Sequence, residues 1–139
     1  MKILFVCRAN VVRSQMAAAW YNQLTGTKDA DSAGTHVDEP GQTLGERRAK
    51  HPGASYAVDV MSDKHIDMSG SGRTQVTPEM LKQYDKVINM AAPQYTPEWL
   101  SRAPNYVFWD VLDPMGHSYE KTSEVRDIIQ KKVEQLIRA

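Results

Sequence analysis

Short apolar runs alternate along the chain with longer segments whose apolar residues recur at helical spacing. Lys2 to Val6 is continuous, apolar and β-branched, which predicts a strand buried on both faces. Ser14 to Leu24 sets Met16, Ala17, Trp20, Tyr21 and Leu24 at helical spacing, and Thr25-Gly26 ends that helix. Asp29 to Ala33 predicts a second short strand. His36 to Gly53 holds two prolines and three glycines and predicts a long loop with one helical turn. Ala54 to Lys64 predicts a helix. Thr77-Pro78-Glu79 and Thr96-Pro97-Glu98 each set an N-cap threonine before a proline at the first helical position. They predict helices ending near Tyr84 and Arg102. Lys86 to Met90 and Tyr106 to Trp109 predict the third and fourth strands. The last helix carries the clearest apolar stripe: Val125, Ile128, Ile129, Val133, Leu136 and Ile137.

Strands that alternate with helices imply an α/β fold, a parallel sheet with helices on both faces. Ligands of such folds bind beyond the carboxyl ends of the strands. The 139 residues suit one domain spanning residues 1–139. Seventeen basic side chains balance seventeen acidic ones, so no net field points to nucleic acid or to a membrane, and any anion site must be local. The apolar run at the N-terminus is too short for a signal peptide or a membrane span, which predicts a cytoplasmic protein. A lone cysteine and four scattered histidines give no zinc spacing and no internal disulfide, and no cofactor is implied.

That cysteine, Cys7, stands where the first strand ends and just before the first helix begins. The intervening loop is Cys7-Arg8-Ala9-Asn10-Val11-Val12-Arg13-Ser14. Backbone N–H groups of a tight strand-to-helix loop form an anion nest, and the helix N-terminus adds its open N–H groups and positive dipole end. Both favour a nucleophilic thiolate at Cys7. Arg13 offers a rigid fork for two oxygens of a tetrahedral oxyanion. Ser14 can donate its hydroxyl to the thiolate, and Asn10 tolerates positive φ and can brace the loop. A thiolate that attacks phosphorus needs an acid for the leaving group and then a base for water. Asp113, stiffened by Pro114 and placed after the fourth strand, lies at the same sheet edge. Asp-Pro also starts turns, so spacing alone leaves the acid and the turn as equal readings.

The Cys7 loop, the phrase Ser32-Ala33-Gly34-Thr35 and the distal Asp113-Pro114 together resemble the low-molecular-weight protein tyrosine phosphatase superfamily, which also contains arsenate reductases. The resemblance runs through essentially the whole chain. It implies a four-stranded parallel sheet of order 2-1-3-4. It also implies Cys7 as nucleophile, Arg13 as oxyanion binder and Asp113 as general acid, then base. Arg8, Ala9, Asn10, Val11, Val12 and Ser14 would form or brace the phosphate loop, and Ser32 would support it from below.

The departures from that pattern bear on the substrate. Ala9 stands where the phosphatases usually have glycine, and Val12 where many have a second cysteine. Ile66-Asp67-Met68-Ser69 is followed by Gly70-Ser71-Gly72-Arg73, so the His-Arg brace usual there is missing or rebuilt. Met115-Gly116 replaces the tyrosines that wall a phenyl ring, leaving Met115, His36 or Tyr119 to shape the mouth. Arg13-Ser14-Gln15-Met16-Ala17 and Trp109-Asp110-Val111-Leu112-Asp113-Pro114 resemble the arsenate branch, but the further cysteines of the thioredoxin-coupled reductases are absent. Three readings follow. The first is hydrolysis of a phosphorylated protein or small phosphomonoester. The second is reduction of arsenate with an external thiol, and the third is an oxyanion-binding module without turnover. Retention of both Cys7 and Asp113 favours the catalytic ones.

Overall fold

The computed structural model describes all 139 residues. Its strands are β1 (Ile3–Cys7), β2 (Ala30–Gly34), β3 (Lys86–Asn89) and β4 (Tyr106–Phe108). They form one parallel sheet of order β2-β1-β3-β4. The α-helices are α1 (Arg13–Thr25), α2 (Leu44–Lys50), α3 (Ala57–Ser62), α4 (Glu98–Ser101) and α5 (Tyr119–Arg138). The expected fold class and strand order are therefore those observed.

β1 is central, and every one of its side chains is buried. Alternate residues of a strand point to opposite faces, so β1 feeds two separate cores. Ile3, Phe5 and Cys7 pack with Met16, Ala17 and Trp20 of α1 and with Val125, Ile129 and Val133 of α5. Leu4 and Val6 pack on the other face with Val76, Leu81, Val87 and Leu100. The Phe5 ring lies 5.8 Å from that of Trp109 and 6.4 Å from that of Tyr21, which ties the end of β4 to α1 through β1.

Several elements differ from the sequence reading. The stretch from His36 to Gly53 contains α2, a helix of seven residues rather than one turn. Its start is a complete capping box, with Thr43 accepting from the Glu46 N–H and Glu46 accepting from the Thr43 N–H. The helix expected over 54–64 is confined to α3, because Gly53 adopts φ 79 and the chain before Ala57 runs through turns. Pro78–Gln83 is a 3-10 helix, and neither Thr77 nor Thr96 caps a helix through its side chain. Pro97 itself takes the N-cap position of α4. In α5 the buried stripe is Val125, Ile129 and Val133 with Thr122 and Arg126, while Ile128 and Ile137 are exposed. Leu24 at the end of α1 is exposed as well. No helix is long and apolar enough to cross a membrane.

The two isoleucines of α5 give a direct check on this packing. Ile129 is fully buried and Ile128 is 48% exposed. Ile129→Ala should cost about 2–5 kcal/mol of unfolding free energy, and Ile128→Ala no more than about 0.5 kcal/mol. Urea unfolding of the two variants measures both.

Candidate active site

The strand order reverses beside β1, so the crevice beyond the carboxyl ends of β1 and β3 is where a ligand is expected. Cys7 closes β1 there, paired in register with Gly34 of β2. The chain then turns through residues 8–12 into α1, which begins at Arg13. Val12 holds the N-cap position and offers no side-chain acceptor, and the first turn carries no acidic residue. The N–H groups and positive dipole end of α1 thus face the loop without a side-chain cap. Val11 and Val12 are buried in the larger core, which anchors the loop from behind.

Asn10 sets the loop's shape. It is buried and adopts φ 55, the only positive φ between Cys7 and Arg13. Its Oδ1 accepts the Thr74 N–H at 2.8 Å, and this bond fixes which end of the amide is which. Its Nδ2 then donates to the Ser14 hydroxyl at 2.7 Å and to the Ser32 hydroxyl at 3.0 Å. Ser14 Oγ lies 3.0 Å from Cys7 Sγ. Because Ser14 Oγ already accepts from Asn10, its own hydrogen is free to be donated to the sulfur. The expected bracing by Asn10, contact by Ser14 and support by Ser32 thus meet in one hydrogen-bonded chain. Ala9 is not at positive φ, so the loop does not need glycine there.

Two further residues hold the loop down. A Cβ on Gly34 would lie 2.8 Å from both the Arg8 carbonyl oxygen and the Asn10 nitrogen, so only glycine lets β2 approach this closely. Arg73 is buried and donates through Nε and Nη2 to the Ala9 carbonyl, at 3.3 and 2.9 Å. Its Nη1 donates to Gln42 Oε1, and its Nη2 lies 2.7 Å from Asp38 Oδ1. The brace after the Ile66-Asp67-Met68-Ser69 phrase is therefore rebuilt around Arg73 alone. The sequence could not show this, since the contact spans 64 residues. Arg73 also holds the Asp38 carboxyl below its ordinary value, chiefly through the hydrogen bond it donates.

Arg13 is almost fully buried, and its Nη1 donates to the carbonyls of Met90 and Val111, the latter at 3.1 Å. It thereby ties the ends of β3 and β4 to the loop. Its Nη2 lies 3.6 Å from Asp113 Oδ2. Asp113 is 42% exposed through its side chain, and its Oδ1 accepts the Met115 N–H at 3.0 Å. The turn and the site are thus the same structure: the bond to Met115 makes the turn, and the other carboxylate oxygen points to Arg13.

Arg8, Arg13, Tyr95, Phe108, Asp110 and Asp113 line one open cleft. Asp110 and Tyr95 had drawn no attention as site residues. Asp110 stands two residues beyond β4, within the phrase Trp109-Asp110-Val111-Leu112-Asp113-Pro114, whereas Tyr95 ends the short turn after β3 and no motif marks it. Of the residues expected at the mouth, His36 packs edge-on against Tyr95, with ring centroids 5.6 Å apart. Met115 and Tyr119 do not line this cleft. Met115 packs on the larger core, and Tyr119 lies against Tyr56 and hydrogen-bonds Asp63.

A family model described as low molecular weight phosphotyrosine protein phosphatase matches residues 2–139. The chain belongs to that family. Within it, the chain is 31% identical to a glutaredoxin arsenate reductase of Synechocystis sp., covering 98% of this chain and 95% of that one. The low molecular weight protein tyrosine phosphatase of T. tengcongensis superposes with a TM-score of 0.79 at 26% identity, covering 99% of this chain and 98% of that one. An arsenate reductase solved in its phosphate-binding state superposes at 0.75 with 28% identity and the same coverage. The family thus joins cysteine-based phosphatases and arsenate reductases on one fold, and relatives of both kinds resemble this chain.

The Arg73 brace can be tested without any substrate. Arg73→Gln should cost about 1–3 kcal/mol, because the Ala9 carbonyl loses both its donors. Asp38 is largely exposed, so Asp38→Asn should cost less than about 1 kcal/mol at neutral pH. A carboxyl held below its ordinary value contributes stability above that value and loses it as pH falls through the folded value. The unfolding curves of wild type and Asp38→Asn should therefore converge once the pH falls well below 3.8, the ordinary value.

Proposed function

We propose that the chain hydrolyses phosphate monoesters through a covalent phosphocysteine at Cys7. The observation that carries this reading is the polarity of the chain from Asn10 to Ser14 to Cys7. It leaves the Ser14 hydroxyl hydrogen available to the Cys7 sulfur, 3.0 Å away, as a thiolate there would require. A neutral structural thiol has no need of such a donor.

In the first step the Cys7 thiolate attacks phosphorus and the P–O bond to the leaving group breaks. The charge spread over the phosphoryl oxygens falls among the loop N–H groups and the Arg13 fork. Arg13 is equipped for this: its Nε and Nη2 hydrogens have no hydrogen-bond acceptor in the protein, since Nη1 alone serves the two carbonyls. The Asp113 carboxyl gives its proton to the leaving oxygen. In the second step the Asp113 carboxylate takes a proton from water, whose oxygen attacks phosphorus. The P–S bond breaks, the thiolate returns to the Ser14 hydroxyl, and inorganic phosphate leaves. Exposure of Asp113 to the cleft gives it access to both the leaving group and water.

A second reading is favoured by the Synechocystis relative, a glutaredoxin arsenate reductase. Here the Cys7 thiolate would add to arsenate with loss of water. An external thiol would then attack the Cys7 sulfur, releasing arsenite and leaving a mixed disulfide. A second thiol would restore Cys7. The two electrons that reduce arsenic come from sulfur, and the chain's single cysteine requires that the partner sulfur be external. Phosphate hydrolysis needs no such partner, which is why it ranks first.

The purified protein should hydrolyse a chromogenic aryl phosphate, and Cys7→Ser should lower the rate by about three orders of magnitude or more. Undiminished turnover in Cys7→Ser would rule out the thiolate. Asp113→Asn should slow poor alkyl leaving groups by about 100-fold and a nitrophenolate leaving group far less. Equal losses for both would remove the general acid. In the same preparation, arsenate-dependent oxidation of glutathione, with and without a glutaredoxin, tests the second reading. Oxidation at the rate of a protein-free control would eliminate it.

A further inference from the structure

Arg8 follows the nucleophile directly, yet it makes none of the contacts that hold the loop through side chains. Its backbone is fixed, because its carbonyl accepts the His36 N–H at 2.7 Å. Its guanidinium lies 3.9 Å from the centroid of the Tyr95 ring. That ring is held in turn by the edge of His36, whose Nδ1 is 2.9 Å from the Thr35 hydroxyl. A guanidinium stacked on an aromatic face keeps its N–H groups in the plane of the fork, directed away from the ring and open to an acceptor. Arg8 forms no ion pair and donates no side-chain hydrogen bond, although it lines the same cleft as Arg13 and Asp113. The cleft therefore contains two arginines in different states. Arg13 is buried, anchored to two carbonyls and beside Asp113. Arg8 is exposed, pre-oriented by Tyr95 and without a carboxylate partner.

We infer that Arg8, held over Tyr95, is a specificity residue that selects phosphate esters whose leaving group carries a second anionic group. This rests on the oxyanion site proposed above and adds to it the class of substrate. The phosphate occupies the loop with Arg13. The body of the leaving group lies in the cleft, where Phe108, exposed at the end of β4, offers an apolar wall. The second anion, a carboxylate or another phosphate, meets the free fork of Arg8. Met115 is turned to the core, so the turn after Asp113 supplies no wall of its own. Asp110 lines the same cleft without an ion-pair partner, and its carboxylate repels anions. Recognition of an anion there must therefore be local to Arg8.

Binding of phosphonates that cannot be hydrolysed tests this on the full chain by calorimetry. The probes are phenylphosphonate, 4-carboxyphenylphosphonate and 1,4-phenylenebisphosphonate, so the last two distinguish a carboxylate from a phosphate as the second anion. Wild type should bind at least one doubly anionic probe about tenfold more tightly than phenylphosphonate. Arg8→Gln should abolish that preference, and Tyr95→Leu should reduce it by removing the face that orients the fork. Added salt should weaken the preference, as expected for a partly exposed charge. A preference that survives Arg8→Gln, a wild type that prefers neither doubly charged probe, or a wild type that binds no phosphonate at all would each overturn the inference. Turnover of 4-nitrophenyl phosphate by the same preparation reports on the hydrolase separately. Hydrolysis without a preference removes the role of Arg8 alone. A preference without hydrolysis leaves that role and removes the hydrolase.

Discussion

The site depends on the amide of Asn10. A side-chain amide has one acceptor and two donor hydrogens, and here each is directed to a different element. The acceptor takes the Thr74 N–H, one hydrogen reaches Ser32 on β2, and the other reaches Ser14 on α1. The flipped amide would set its NH2 against the Thr74 N–H, so only the observed orientation satisfies all three partners. The loop is therefore held in one shape, with the backbone at φ 55 where few residues other than glycine and asparagine are at ease. That choice also leaves the Ser14 hydroxyl hydrogen available to the Cys7 sulfur.

The rest of the fold serves to bring those partners together. β1 is buried on both faces, so the position of Cys7 at its end is set by two cores rather than by loop packing. Gly34 removes the one side chain that would keep β2 away from the loop. Arg73 fills the space on the other side and supplies donors to the Ala9 carbonyl, a group that would otherwise be left with none. Arg13 joins the ends of β3 and β4 to the start of α1 and stands next to Asp113. Residues that lie far apart along the chain thus form one rigid edge of the sheet.

Much of this was legible in the residues themselves. Alternation of strands and helices is enough to place Cys7 and Asp113 at the same sheet edge. The family pattern supplied the strand order and assigned Ser32 to the support of the loop. What could not be read were contacts across long separations. The residues through Arg73 left the brace as either missing or rebuilt, because nothing local says that a carbonyl 64 positions earlier needs a donor. Ile128 and Ile137 fit the helical period of α5 but lie on flanks that no other element covers. Periodicity identifies an apolar face without identifying its neighbour. α2 was a different kind of omission: its capping box, Thr43 to Glu46, was present in the sequence and outweighs the surrounding glycines and prolines. Tyr95 carries its role only through Arg8, to which no motif links it.

The single cysteine separates the two chemistries that this family supports. Arsenate reduction by this chain would have to borrow a sulfur from another molecule, whereas phosphate transfer would need no sulfur beyond Cys7. The central claim is that phosphorus becomes bonded to Cys7 during turnover. The most direct measurement is mass spectrometry of proteolytic peptides after rapid acid quench of Asp113→Asn mixed with an aryl phosphate, since that variant should release the phosphoryl group slowly. The account predicts one added phosphoryl group on the peptide that contains Cys7, formed together with the first equivalent of released phenol and lost as inorganic phosphate appears. Phenol release with no modified Cys7 peptide at any time, or with the phosphoryl group on another residue, would contradict it.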